Sequence, residues 1–251
     1  MKARSFLDFT RPPLTVLIEK ETPQEVLETI EKSRAAGADA FCFLINNMKD
    51  CYRTESIFKE IFHAMGDLPA YIANYTSGTN AEKTDEYCLD QAMLALECGA
   101  SLFDLPGDSF CKSPDEITYD ETAVYKQKEI IQQVHAMGKD VLISSHTKRY
   151  LEPEEVLKIA FAQKQRGADI SKIVTSADTT HELLENCKIS ILLKQQLNIP
   201  HLFLCNGEQC KNHRLINPIL GSCLCLCLLE PNPHRSQPSL ETMQQFLAHV
   251  Q

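Results

Sequence analysis

A chain of 251 residues with 43% apolar and 24% charged side chains has the makeup of an ordinary globular protein, which excludes a disordered or fibrous one. Its formal charge of −9, with no cluster of Lys and Arg, excludes a nucleic-acid binder, since such proteins need grouped cations to displace counterions. No run approaches the ~18 apolar residues of a membrane span, and the N-terminal MKARSFLDFT lacks the apolar core of a secretory signal, so a cytoplasmic protein with no membrane partner is expected.

In chain order, short β-rich apolar runs alternate with longer amphipathic stretches, the pattern of βα units around a parallel sheet. Strands are predicted at Leu14 to Ile18, Ala40 to Ile45, Ala70 to Asn74, Ser101 to Leu105, Asp140 to Ser145, Ile170 to Thr175, His201 to Cys205 and Cys223 to Leu228. Helices lie between them. In PQEVLETIEKSRAAG, Val26 and Ile30 fall on one face and Gly37 takes the stop position; TDEYCLDQAMLALECG, TAVYKQKEIIQQVHAMG and EPEEVLKIAFAQKQRG end the same way. Several of these glycines precede a two-residue pair such as Ala38-Asp39 or Ala168-Asp169 that opens the next strand.

Length alone leaves two small domains possible, but eight strands favour one α/β domain over residues 1–251, a (β/α)8 TIM barrel. The segment EPNPHRSQPS, about 230–239, reads as a Pro-rich closing loop. Neither G-x-G-x-x-G nor G-x-x-x-x-G-K is present, which weakens a nucleotide-binding open sheet. Eleven cysteines, an odd number at uneven spacing, argue for a reducing cytosol and against a disulfide framework.

Reactive groups of a barrel sit at the C-terminal ends of its strands. The fifth run, DVLISSH, closes on Ser145 and His146, and the sixth, in ADISKIVT, carries Lys172 among apolar neighbours. Burial of a lysine disfavours its charged form and frees an amine to attack a carbonyl, and a neighbouring histidine can then move protons. A lone histidine at a strand end is more often structural, and burial of lysine is generally avoided. Placement on adjacent strands is what raises both residues to candidates.

These residues resemble a known family. ISSHTKRYLEPEEVL is similar to the strand and loop of type I 3-dehydroquinate dehydratases that reads ISYHDF and continues through Thr-Pro and Glu-Glu, and ADISKIV resembles that family's Schiff-base lysine segment. GADAFCFLI matches the second strand, HRLINPILGS resembles the helix before the last strand, and SQPSLETMQQFL is in phase with the closing segment. The matches run from about Val16 to the C-terminus. The resemblance implies an imine-forming lyase with no cofactor and no metal, acting on a small-molecule keto-carboxylate and often dimeric. Position by position, it makes Lys172 the nucleophile, His146 the general acid and base, and Asp104 a supporting acid. Arg214 becomes the partner of the substrate carboxylate, suited to it by a bidentate fork, and Gln237 the glutamine of the closing loop.

The departures lie on the side that grips ring hydroxyls in the family. Cys42 and Leu44 stand where the second strand carries Glu-x-Arg, Tyr75 and Thr76 replace Arg-Thr, Thr79 replaces a glutamate, and Leu204 to Gly207 replace Met-Ser-Met-Gly. A site that loses its hydrogen-bonding partners forfeits roughly 10⁴ in specificity, so the expected substrate is 3-dehydroquinate or a less hydroxylated carboxylated ketone. A class I aldolase, or a non-catalytic relative that binds or senses a small carboxylate, are the alternatives.

Other groups carry less. Cys205, Cys210 and His213 fit no standard zinc spacing. Cys223, Cys225 and Cys227 are expected to share one face of the last strand as buried small side chains, and Cys42 is expected to be a filler more than a reactive thiol. His234 and Arg235 are either a lid over the substrate or solvated loop residues.

Overall fold

The structure is a computed structural model that describes residues 5–250. The opening residues 1–4, part of the segment read above for a leader, lie outside the described residues. Among the described residues eight strands and eight α-helices alternate: β1 (Leu14–Ile18), α1 (Pro23–Ala35), β2 (Ala40–Leu44), α2 (Glu55–Met65), β3 (Ala70–Ala73), α3 (Asp85–Cys98), β4 (Leu102–Pro106) and α4 (Glu121–Ala136). The second half repeats the scheme with β5 (Asp140–His146), α5 (Pro153–Arg166), β6 (Ile170–Ser176), α6 (Thr180–Gln196), β7 (His201–Asn206), α7 (Cys210–Leu220), β8 (Cys225–Cys227) and α8 (Leu240–Val250).

Helix starts are set locally. Thr22 and Glu25 form a capping box with Pro23 in the first turn of α1, and Thr179 and Glu182 do the same for α6, so the orphan N–H groups of each first turn are satisfied. The glycine junctions have a further reason. Asp39 donates its N–H to Leu14 O and accepts the Leu14 N–H on its carboxylate at 2.9 Å. Asp169 does the same with Val141, and Ser101 with Ala70 through its hydroxyl. The polar residue two places beyond the helix-stopping glycine thus clamps the new strand to the start of its neighbour and fixes the parallel register.

All strand pairs are parallel, and the order is β7-β6-β5-β4-β3-β2-β1-β8. This is a (β/α)8 barrel whose seam between β7 and β8 is spanned by the Cys223 N–H donating to His201 O at 2.8 Å. Period-two alternation sends Val16, Phe41, Phe43, Ile72, Phe103, Val141 and Ile143 outward under the helices. Leu17, Cys42, Tyr71, Leu102, Leu142, Ile170, Leu202 and Leu224 point inward and fill the barrel. Among the described residues no helix is long and apolar enough to cross a membrane.

The last strand is shorter than Cys223 to Leu228. It keeps ladder pairing with β1 only from Cys225 to Cys227. Cys225 and Cys227 share the outer face, with sulfurs 3.7 Å apart, whereas Cys223 precedes the strand and packs on the inner cluster. Alternation places all three on one face only if the strand includes all three, and it does not. Beyond β8 the Pro-rich loop leaves and returns at one point, where Leu228 donates to Pro238 O and Leu240 donates to Leu228 O. Lys211 Nζ holds the loop's tip through Pro233 O at 2.6 Å.

Two buried histidines make the fold acid-sensitive. His201 opens β7, and His213 on α7 lies edge-on to Phe203 with ring centroids 5.7 Å apart. Burial above all, with nearby Lys194 and Arg214 respectively, pushes each down to about 4. Below the ordinary value of about 6.5 the unfolded chain takes up protons that the folded chain refuses, so stability is complete above that pH and drains away toward pH 4. At pH 5 the loss should be roughly 1 to 2 kcal/mol per histidine. Urea unfolding at pH 7 and pH 5 measures it, and His213→Leu should remove about half of the difference; an unchanged difference would show that His213 does not carry it.

Candidate active site

Apolar layers fill the barrel up to the level of Lys172, where the interior turns polar. Lys172 lies inside β6, paired in register with Ser144 on β5 and Leu202 on β7, and only 5% of it is exposed. Its Nζ donates to Asp104 Oδ2, Tyr71 Oη and Tyr75 Oη, each at 2.9 Å, so the three donors of an ammonium each meet an acceptor. Both phenols in turn donate to the same Asp104 oxygen, and Ser144 Oγ donates to the other. The apolar neighbours of Lys172 in sequence thus do not reveal the polar partners that meet it in space. Lys172 belongs to a buried ion pair with a complete set of hydrogen bonds, the arrangement that offsets the cost of taking two charges out of water.

The strands explain the convergence. Asp104 comes from the middle of β4, Tyr71 from β3, and Tyr75 from just past the β3 end. Burial would raise the Asp104 carboxyl, but the Lys172 and His146 charges and the bonds from Ser144 and Tyr71 outweigh it and hold the group below its usual value. Tyr71 and Tyr75 are pushed well above the ordinary phenol value, by burial first and then by the Asp104 charge, so both keep their protons at neutral pH.

His146 closes β5. Its Nδ1 lies 2.8 Å from Glu116 Oε2, and its backbone N–H donates to the same oxygen at 2.9 Å. A carboxylate on Nδ1 places the ring proton there and leaves Nε2 as the nitrogen free for chemistry. Glu116 arrives on the loop between β4 and α4, and sequence reasoning missed it: within KSPDEITYD it looks like any charged loop residue. Its φ of +48° puts it in the left-handed region, which costs a non-glycine residue about 1–2 kcal/mol. That backbone is held down by Ser145 Oγ donating to Glu116 O at 2.8 Å and by Gly107, where an added Cβ would come within 2.6 Å of the same carbonyl oxygen. Burial would raise the Glu116 carboxyl, yet the bonds and charge of His146 prevail and lower it.

Tyr75 joins the two halves, its ring standing edge-on to His146 with centroids 5.4 Å apart while its phenol reaches Lys172. A cavity of about 350 Å³ opens beside them, lined by Tyr75, Thr76, Ser77, Pro106, Asp108, Lys112, Glu116 and His146. A larger groove of about 610 Å³ lies between α1 and the Pro-rich loop, away from Lys172 and His146.

The other candidates fall around this centre. Cys42 is buried in the barrel interior and burial pushes its thiol far above the ordinary value, so it fills space and is no thiolate. Leu44 is half-buried on the same cluster. Thr79 is engaged with the buried Arg53 and donates to Asn46 O at 2.9 Å. Arg214 sits by the β7 end, donating to Cys205 O at 3.1 Å and Asn206 Oδ1 at 3.2 Å, and it is buried. Gln237 Oε1 accepts from Arg235 Nε at 3.4 Å, and Arg235 pairs with Glu19 at 2.6 Å, which ties the Pro-rich loop to the end of β1. Arg214 and Gln237 are thus on the β7 and β8 side of the mouth, outside the lining of the smaller cavity. His234 is exposed on that loop. Among the described residues no group of three or more His, Cys, Asp or Glu side chains is placed to hold a metal ion.

Comparison with known proteins bears on the fold and the family. The family model described as type I 3-dehydroquinase matches residues 14–251. The type I 3-dehydroquinate dehydratase from Clostridium difficile, solved with covalently modified comenic acid, superposes with a TM-score of 0.82 at 15% identity, over 96% of this chain and 92% of that one. The 3-dehydroquinate dehydratase from Geobacillus kaustophilus HTA426 gives 0.83 at 15% identity, over 99% and 96%. More distant in shape is 3-keto-L-gulonate-6-phosphate decarboxylase from Vibrio cholerae, with a TM-score of 0.60 at 9% identity over 96% and 100%. No curated protein matches the sequence.

Proposed function

The chain belongs to the type I 3-dehydroquinase family, and from that premise we propose that it is an imine-forming hydro-lyase acting on a carboxylated cyclic ketone, either 3-dehydroquinate or an analogue with fewer hydroxyls. The observation that carries this reading is the Lys172 amine inside the barrel mouth, bonded to Asp104 and separated from the His146 imidazole by one tyrosine ring.

In the proposed reaction the Lys172 ammonium passes a proton to His146, the free amine adds to the ketone carbon, and His146 returns the proton to the carbinolamine hydroxyl, which leaves as water to give a protonated imine. The imine draws electrons from the neighbouring carbon, whose proton passes to His146 Nε2. The same proton then leaves with the β-hydroxyl as water, and hydrolysis of the conjugated imine returns the free amine and an unsaturated ketone. Glu116 holds Nδ1–H so that Nε2 faces this exchange, and Asp104 is the counter-ion whenever the nitrogen is charged, as ammonium or as protonated imine. Arg214 and Gln237, on the β7 and β8 side and outside the smaller cavity, are the proposed contacts of a carboxylate that extends past the amine once the ketone has entered from that cavity.

Cys42 and Leu44 supply no hydrogen-bonding group where the family carries Glu-x-Arg, and with the Tyr75 ring this supports a substrate with fewer hydroxyls. Formation of the conjugated ketone from 3-dehydroquinate, followed by ultraviolet absorbance, tests this. The expected kcat/KM lies below about 10⁴ M⁻¹s⁻¹, at the foot of the ordinary enzyme range. A value well inside that range would show that these replacements leave recognition of the hydroxyls intact. A second reading, a relative that binds carboxylates without turning them over, is favoured by the full hydrogen bonding of Lys172; it predicts no product with either substrate class.

A further inference from the structure

The geometry points to Tyr75 as the residue that controls access to Lys172 and thereby the ketones that can react, an inference that rests on the imine reading above. The cavity is lined by Tyr75 and His146 but not by Lys172, whose side chain is 6% exposed. A ketone in the cavity therefore meets the phenol ring first, and the amine lies behind it. The ring spans the gap, standing perpendicular to the His146 ring with its hydroxyl on Lys172 Nζ and Asp104.

Only the side chain is free to move. The Tyr75 backbone is held on both sides, its N–H by Asn46 Oδ1 at 3.5 Å and its carbonyl by Asn80 Nδ2 at 3.0 Å. Asn80 is itself anchored to Asn74 Oδ1 at 2.8 Å and to Arg53 at 2.6 Å. Opening is thus a side-chain rotation that breaks two phenol hydrogen bonds. Lys172 keeps Asp104 and Tyr71 as partners in the open state, so the amine is uncovered without being left unpaired. The displaced ring must then share the cavity of about 350 Å³ with the substrate, which penalises bulky or highly substituted ketones more than small ones.

Reductive methylation tests the wall independently of turnover. The folded protein is treated with formaldehyde and dimethylamine-borane, and modification of Lys172 is followed by peptide mass against the exposed Lys59 as internal reference. In Tyr75→Ala, Lys172 should be methylated at least about tenfold faster relative to Lys59 than in the wild type, whereas Tyr75→Phe, which keeps the ring, should stay within a few-fold of the wild type. Equal Lys172 rates in wild type and Tyr75→Ala overturn the inference. A rise in Tyr75→Phe equal to that in Tyr75→Ala also overturns it, because the phenol bonds rather than the ring would then be the barrier. Reactivity of the buried Cys88 reports global unfolding, and if it appears in the Ala variant the comparison is made with Tyr75→Val. Faster methylation in Tyr75→Ala with no borohydride-trapped adduct of 3-oxocyclohexane-1-carboxylate in any variant would uphold the wall while removing the imine chemistry.

Discussion

Lys172→Met is expected to abolish imine formation and to destabilise the fold by about 3–5 kcal/mol, a large part of the 5–15 kcal/mol that holds a domain together. The second effect follows from Asp104. Its side chain is fully buried, and without Lys172 the carboxylate keeps the bonds from Tyr71, Tyr75 and Ser144 but has lost its paired charge. Burial, already the largest influence on this group, would then raise it. A carboxyl raised above its unfolded value destabilises at neutral pH and is relieved as acid protonates it in the folded state, so the variant's deficit should shrink as pH falls. Asp104→Asn in the same background removes the stranded charge and should recover most of the loss. Urea unfolding of wild type, both single variants and the double variant closes the cycle. Additive losses would show that the two charges do not interact.

Glu116→Ala should lower kcat by about 10²-fold, the lower end of what a positioned acid–base group contributes, with a smaller change in KM. Glu116 touches no reacting atom in the proposed scheme; it is a positioning residue for His146. Its loss leaves Nδ1 without its acceptor, so the ring can change tautomer and rotate. Nitrogen-15 spectra of His146 provide the readout that a merely structural role would not move: Nδ1 protonated and Nε2 bare in the wild type when neutral, a tautomer mixture in the variant. Glu116→Gln, which keeps an acceptor oxygen in place, should recover part of the activity. Wild-type tautomer and rate in Glu116→Ala would show that the ring is oriented by other contacts.

The barrel was legible in the sequence because apolar runs alternate with amphipathic helices, most of them stopped by a glycine, and both signals are local. Lys172 and His146 drew notice for a related reason: titratable side chains in or at the end of apolar strands stand out against their neighbours, whereas Asp104 came only through the family resemblance. Tyr71 did not stand out, since a tyrosine in AYIA reads as an ordinary strand residue until the fold sets its hydroxyl against Asp104. Glu116 was hidden for another reason. It lies 30 residues before His146, and its position depends on a left-handed backbone turn seated against Gly107, which no periodicity encodes. The extent of β8 was also not local. Cys223 to Leu228 alternates like a strand, but pairing with β1 is what decides where the ladder begins. Tyr75 was read as the loss of an arginine, and only the fold sets its phenol against Lys172 and Asp104.

Borohydride reduction of the folded protein with 3-dehydroquinate, and separately with 3-oxocyclohexane-1-carboxylate, followed by peptide mapping, addresses the amine of Lys172 most directly. The account predicts a mass increase equal to the reduced ketone on the peptide carrying Lys172, absent in Lys172→Met. Reduction that leaves Lys172 unmodified with both ketones, under conditions in which the protein stays folded, would contradict it.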